Sequence, residues 1–231
     1  MIPIRDSVKS IRPPVITVAL ILVNAAVFIY EIMLPEQELE QLFHLWGVVP
    51  ARYTHPAEAL KMGYPETSFL PFFTSIFLHG GWLHLISNMW ALWIFGDNVE
   101  DRMGHVRYFL FYVICGILAG VVNFAIHPHV TLPTIGASGA IAGVMGAYFF
   151  LYPLARIIVL VPIFFYPLFL QIPAIVYLFF WFLTQFWSGT LTIASGRGDF
   201  GGVAFWAHIG GFIAGIFLFR YFLKFRKRPS R

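Results

Sequence analysis

Residues 136–152, GASGAIAGVMGAYFFLY, run without a charged side chain, and Gly139 and Gly143 stand four positions apart. Inside a bilayer, small residues at that spacing form a face on which another helix can pack closely. A second stretch of the same kind, residues 203–223, pairs Gly211 with Gly215. The two stretches therefore predict helices that approach each other through glycine faces. Each also holds a polar residue near its start, Ser138 in one and His208 in the other. A third stretch, 82–95, holds His84 and Asn88. Such side chains are expensive in lipid, so their presence marks a candidate site.

The composition sets the surroundings. The 231-residue chain is 59% hydrophobic, 19% aromatic and 11% charged, with a mean hydropathy of +0.77. Soluble domains average about 25% charged residues, so too little polar surface exists here to coat a soluble globule. The expected fold class is all-α, a polytopic membrane protein, and the length suffices for roughly six spans in a lipid bilayer. The net charge of +4 does not imply a nucleic-acid partner, because the basic residues sit at chain ends and in short loops rather than along a groove. Cys115 is the only cysteine and falls within a predicted span. It reads as a small apolar core residue that forms no intramolecular disulfide.

One domain is expected over residues 1–231, with spans at roughly 15–34, 82–95, 107–126, 136–152, 165–187 and 203–223. An outer loop fills 35–70, and a basic inner tail fills 224–231. The first run reads as a retained span, because a secretory leader has a shorter core and a small-residue cleavage site. Residues 156–187 are too many for one straight crossing, and Pro162, Pro167 and Pro173 interrupt them. An interfacial piece is therefore expected ahead of a broken or tilted fifth span, whose aromatic residues from Phe164 to Trp187 read as lipid-facing bulk. Of the 15 lysines and arginines, only Arg52, Lys61 and Arg197 fall outside if both termini are inside. That bias predicts both ends on the inner, cytoplasmic side, and the expected location is the cell's plasma or inner membrane. Spans two, four and six then enter from the outer face. At about 1.5 Å rise per residue, His84, Asn88, Ser138 and His208 share one layer within about 10 Å of the outer boundary.

A serine hydroxyl is a weak nucleophile and needs a neighbouring base to take its proton. His208 is the candidate base for Ser138. The start of the Ser138 helix also offers free N–H groups and a positive dipole end to a developing oxyanion. His84 and Asn88 are four apart, share one helix face and can both donate hydrogen bonds to that oxyanion. His79, just ahead of Gly80-Gly81, reads as a brace for the loop. Spans four and six contain no Asp or Glu, so a Ser–His dyad rather than a triad is expected. No HExxH motif or cysteine pair points to a metal, and no cofactor is expected.

The motifs His84-x-x-x-Asn88 after Phe77-Leu78-His79-Gly80, Gly136-Ala137-Ser138-Gly139, and Ala207-His208-x-x-Gly211-x-x-x-Gly215, in this order, resemble those of the rhomboid intramembrane serine proteases. The opening Met1-Ile2-Pro3-Ile4-Arg5-Asp6 is similar to bacterial and archaeal members. The resemblance implies a six-helix rhomboid-like bundle, with Ser138 as nucleophile and His208 as general base. It also implies an oxyanion hole formed by the Ser138 amide, His84 and Asn88. Gly96 and Glu100 match the family's Gly-x-x-x-Glu pattern, a structural role. Loop 35–70 would lie in the outer leaflet, and span five with loop 188–202 would form the gate and cap. The implied partners are transmembrane protein substrates, cleaved near the outer face. The chain departs from the family pattern at Leu70 and Pro71, where many members carry Trp-Arg, and at Ala142, where some carry an aromatic that braces the histidine ring. A catalytically silent, client-binding rhomboid-like protein is the alternative reading, and a small transporter a weaker one, since transporter sites usually lie near the midplane between repeats.

Overall fold

The computed structural model describes residues 1–61, 63–64, 68–163, 166–194 and 203–224. A short strand β1 (Ile2–Asp6) precedes helix α1 (Val15–Met33). Helices α2 (Glu36–Trp46), α3 (Ala51–Thr54), α4 (Pro56–Lys61) and α5 (Pro71–Thr74) follow, then a 3-10 turn at Ser75–Phe77. The long helices α6 (Trp82–Met103), α7 (His105–Ile126) and α8 (Ser138–Leu151) come next. Strands β2 (Arg156–Ile163) and β3 (Tyr166–Pro173) then lead into α9 (Ala174–Ala194) and α10 (Phe205–Phe222). The architecture is a polytopic helical bundle. Among the described residues α1, α7, α9 and α10 are each long and apolar enough to cross a membrane, and α8 is a shorter apolar helix.

Helix α8 is the axis of the bundle, with every residue from Gly139 to Tyr148 buried. Glycines make this possible. A Cβ on Gly211 would lie 2.0 Å from the Gly139 carbonyl oxygen, and one on Gly215 would lie 2.0 Å from that of Gly143. On its other side, Gly143 faces the Cys115 side chain of α7. Helices α8 and α10 therefore touch backbone to backbone, the close approach that small faces permit. Around this seam Leu92, Phe95, Tyr108, Phe111 and Tyr112 fill the core with no more than 1% exposure.

Helix α1 has no side-chain cap of its own at Pro14, so its first amides need an acceptor. Glu100, buried on α6, supplies it. Its carboxylate accepts from the Ile16 and Thr17 amides and the Thr17 hydroxyl, each at 2.8 Å, and from His105 Nδ1 at 2.6 Å. A carboxylate also suits the positive end of a helix dipole. Gly96, one turn before Glu100, is also confined, since a Cβ there would strike the Tyr108 hydroxyl at 2.7 Å and Thr17 at 3.0 Å.

Several expected boundaries move. The second span, expected over 82–95, continues to Met103, where Gly104 at φ +78° ends α6 and begins α7. Among the described residues of the outer loop 35–70, helices α2, α3 and α4 occupy much of the chain. The largest correction concerns the fifth span. Residues 166–173 are not helical, and α9 starts at Ala174 rather than near 165. Instead β2 and β3 form an antiparallel hairpin, and β1 adds to β2 to give the sheet order β1-β2-β3. The prolines fit this pairing, because Pro162 and Pro167 face each other at the turn end, where a ladder tolerates missing N–H groups. Ile157 and Val159 point into the bundle. Leu168, Phe169 and Leu170 are exposed in succession on β3, so both of its faces are apolar. A strand with one side in water would alternate; this one does not, and that hides it from a periodicity search. Residues 164–165, the part 195–202 of the expected cap, with Arg197, and residues 225–231 of the expected tail lie outside the described residues.

Strand β1 lies along α6. Trp90 Nε1 donates to the Pro3 carbonyl at 2.6 Å, and Asn98 Nδ2 donates to Asp6 Oδ2 at 2.9 Å. Asp6 also accepts from the Tyr148 hydroxyl of α8. Burial lifts the Asp6 carboxyl to about 6, against the lowering effect of the Tyr148 bond.

Two outcomes are expected. Glu100→Ala strands three donors at the start of α1 and should lower stability by about 3 kcal/mol or more, measured by thermal unfolding in detergent; an unchanged midpoint would contradict the capping role. For Asp6, a folded-state value above the unfolded one means the native state holds the extra proton between about 4 and about 6. Its contribution to stability is then greatest at low pH and is lost as pH rises through 6. Asp6→Asn should flatten the change in unfolding midpoint between pH 5 and pH 7 relative to the parent chain.

Candidate active site

Ser138 is the first residue of α8, and His208 is the fourth of α10. Across the glycine seam their side chains meet. His208 Nε2 lies 2.8 Å from Ser138 Oγ. The backbone contact at Gly139 and Gly211 lies one residue beyond the serine and three beyond the histidine. Close axes and short side chains make this distance possible, because both groups must reach only a few ångströms from their helices.

The loop that delivers Ser138 is tied down along its length. Val48 and Thr134 form a β-bridge, and the Gly136 amide donates to the Ser75 carbonyl at 2.8 Å. Asn123 Nδ2 donates to Thr134 Oγ1 at 3.1 Å. Gly136 adopts φ +123°, a conformation costly for any side chain. A Cβ there would also sit 2.6 Å from His84 Nε2 and 3.8 Å from Asn88 Nδ2. Both candidate oxyanion donors on α6 thus face the backbone two residues ahead of Ser138. That placement agrees with their spacing of one helical turn.

Asn88 is buried and held in turn. Its Nδ2 donates to His79 Nε2 at 3.1 Å. The His79 amide donates to both carboxylate oxygens of Glu31 on α1, at 3.1 and 3.2 Å. His79 thus links Asn88 of α6 to Glu31 of α1. Glu31, a buried carboxylate that sequence reading did not single out, anchors it. The signal was present, since an acidic residue inside the apolar run 15–34 has the same cost as His84 or Ser138.

The histidine ring has two further neighbours, both from α9. His208 Nδ1 lies 2.8 Å from Gln185 Oε1, and the Trp181 ring lies 6.0 Å from the imidazole at 31°. Trp181 and Phe182 also pack on Phe212 of α10. The aromatic support missing at Ala142 comes from a different helix. Both residues fall in the aromatic stretch from Phe164 to Trp187, which reads as lipid-facing bulk, so neither stands out in the sequence. A small cavity of about 30 Å³ adjoins Ser138, lined in part by Ser75, Gly116, Gly120, Thr134 and Gly136. That is room for about one or two waters. Among the described residues no group of three or more His, Cys, Asp or Glu side chains is placed to hold a metal.

The glycine seam gives a direct check. Gly211→Ala would press a methyl group against an immovable backbone oxygen and should destabilise the protein by about 1–3 kcal/mol. Gly80→Ala, whose Cβ would meet only Ile135 at 3.8 Å, should unfold near the parent temperature. Equal midpoints for the two variants would refute the backbone contact.

Comparison with known proteins agrees with this geometry. A family model described as Rhomboid domain matches residues 66–225. The chain is 43% identical over 74 residues to Rhomboid protease GluP of Bacillus subtilis, covering 32% of this chain and 14% of that protein. It is 39% identical over 72 residues to Rhomboid-like protein 11, chloroplastic, of Arabidopsis thaliana, covering 31% of this chain and 25% of the relative. It is 32% identical over 126 residues to Rhomboid protein 1, mitochondrial, of Saccharomyces cerevisiae, covering 52% and 36%. The matched regions thus span well under half the length of these relatives. The family model covers most of the chain, α5 through α10 included, and on that match the protein belongs to the rhomboid family.

Proposed function

We propose that this chain is an intramembrane serine endopeptidase that cleaves transmembrane segments of membrane-protein substrates near the outer face. The observation that carries the reading is the 2.8 Å contact between His208 Nε2 and Ser138 Oγ, made between separate helices. Ser138 Oγ attacks the scissile carbonyl while His208 Nε2 accepts its proton. The carbonyl oxygen becomes an oxyanion within reach of the Ser138 amide, His84 and Asn88. His208 then gives the proton to the leaving amine, which departs as the C–N bond breaks and an acyl-enzyme remains. A water entering beside Ser138 loses a proton to His208 and attacks the ester. The tetrahedral adduct collapses, and the proton returns to Ser138.

Geometry of the whole molecule supports the same reading. Ser138, His84 and His208 lie in the first turns of their helices, which favours a shallow site that solvent can reach. The lysines and arginines of the sequence are concentrated in the termini and in the loops on the side away from the site, which favours a multi-pass protein with both termini on the inner side, and a plasma or inner membrane is the location this proposal assigns. Residues 1–231 act as one rhomboid-like domain in this proposal. A client-binding rhomboid-like protein without activity is the competing reading, and the paired serine and histidine argue against it.

A fluorophosphonate probe distinguishes the two. The purified protein should label covalently, and Ser138→Ala should abolish labelling while leaving the unfolding temperature within a few degrees. Absence of labelling in the well-folded parent would overturn the protease reading.

A further inference from the structure

A neutral imidazole carries one N–H. If Nε2 is to take the Ser138 proton, it must be bare, so the hydrogen must reside on Nδ1. A buried N–H needs an acceptor, or both the tautomer and the ring orientation are lost. In serine hydrolases with a triad a carboxylate fills this need. No aspartate or glutamate occurs in α8, α9 or α10.

We infer that Gln185 is the positioning residue for the base: its side-chain carbonyl accepts the Nδ1–H of His208 and so directs Nε2 at Ser138. The inference rests on the protease reading and adds a residue to it. The distances are 2.8 Å on both sides of the ring, Gln185 Oε1 to Nδ1 and Nε2 to Ser138 Oγ. The orientation of the amide is set independently, because Gln185 Nε2 donates to Thr184 Oγ1 at 3.2 Å. That bond turns the carbonyl end to the ring. Trp181, one helical turn earlier on the same side of α9, lies against the imidazole and limits its rotation. An uncharged acceptor suits lipid, where a carboxylate would be costly. Among the described residues, the titratable side chain that acts on the ring is His84 of α6.

The location of Gln185 matters as much as its chemistry. Helix α9 is fixed at its start, where the Ala174 and Ile175 amides donate to the Ala155 and Pro153 carbonyls at 2.7 and 3.0 Å. Farther on it meets α10 through Trp206 Nε1 and the Gly189 carbonyl at 3.2 Å. Most of its large side chains, among them Phe179, Leu183 and Trp187, are exposed. The base is therefore held correctly only while α9 lies against α10.

The test compares Gln185→Leu, which removes the acceptor, with Gln185→Glu, which keeps one and adds charge. The rate of fluorophosphonate labelling is followed across pH. Gln185→Leu should label at least about 10-fold more slowly with an unchanged unfolding midpoint. Gln185→Glu should label, with the acid limb of its rate–pH profile moved to higher pH, because a carboxylate stabilises the protonated ring. A residue that only fills space would leave that limb in place. Nitrogen-15 spectra of histidine-labelled protein, with His208 assigned by its loss in His208→Ala, give a readout independent of activity. The parent should hold the Nδ1–H tautomer, and Gln185→Leu should gain the Nε2–H form. Parental labelling rate and parental tautomer in Gln185→Leu would overturn the assignment. A parent that fails to label but shows the tautomer change would overturn the protease reading and leave the Gln185 contact standing.

Discussion

Two helix backbones in contact set the terms for this protein. A carbonyl of α8 occupies the place where a side chain of α10 would begin, twice, one turn apart. In lipid there is little hydrophobic gain from bringing helices together, so association relies on close van der Waals contact and buried polar bonds. The seam supplies the first. It also fixes the separation of Ser138 and His208, which lie at its upper edge. Any residue larger than glycine at these positions would widen the gap and move the imidazole out of reach.

The second requirement is met by acceptors borrowed between helices. Glu100 of α6 completes the start of α1, and Glu31 of α1 holds the loop that leads into α6. The two carboxylates tie the same pair of helices together at opposite ends. A further chain runs from Glu31 through His79 to Asn88. Each of these groups would be expensive alone in an apolar interior, and each has a partner that needs it. The polar side chains of the candidate site are thus supported in turn by His79 and Glu31.

Much of this was legible in the sequence, for identifiable reasons. The starts expected at 15, 136 and 203, marked by proline or by the shift from loop to unbroken apolar residues, lie within two residues of those of α1, α8 and α10. The paired glycines foretold which helices touch, and His84, Asn88, Ser138 and His208 stood out as polar residues in apolar runs. The hairpin did not, because residues 156–173 are apolar on both faces and give neither strand nor helix periodicity. That omission hid Gln185. With the fifth span drawn over 165–187, Gln185 falls at its edge, where a polar residue needs no explanation. Once α9 is seen to start at Ala174 and end at Ala194, the same glutamine lies well inside the helix, level with the imidazole it touches. The criterion that found the other polar residues would have found this one too, had the helix been placed correctly.

Cys115 has a practical bearing of a different sort. The chain's only thiol is sealed in the middle of α7, without measurable exposure, with its side chain pressed against Gly143. A reagent in solution or in lipid cannot reach it while the bundle is intact. The natural chain is therefore already a silent background for site-directed spin or fluorophore attachment. A single thiol introduced on the outer surface of α9 would carry the sole reporter, so the movement of that helix can be followed without first stripping the interior.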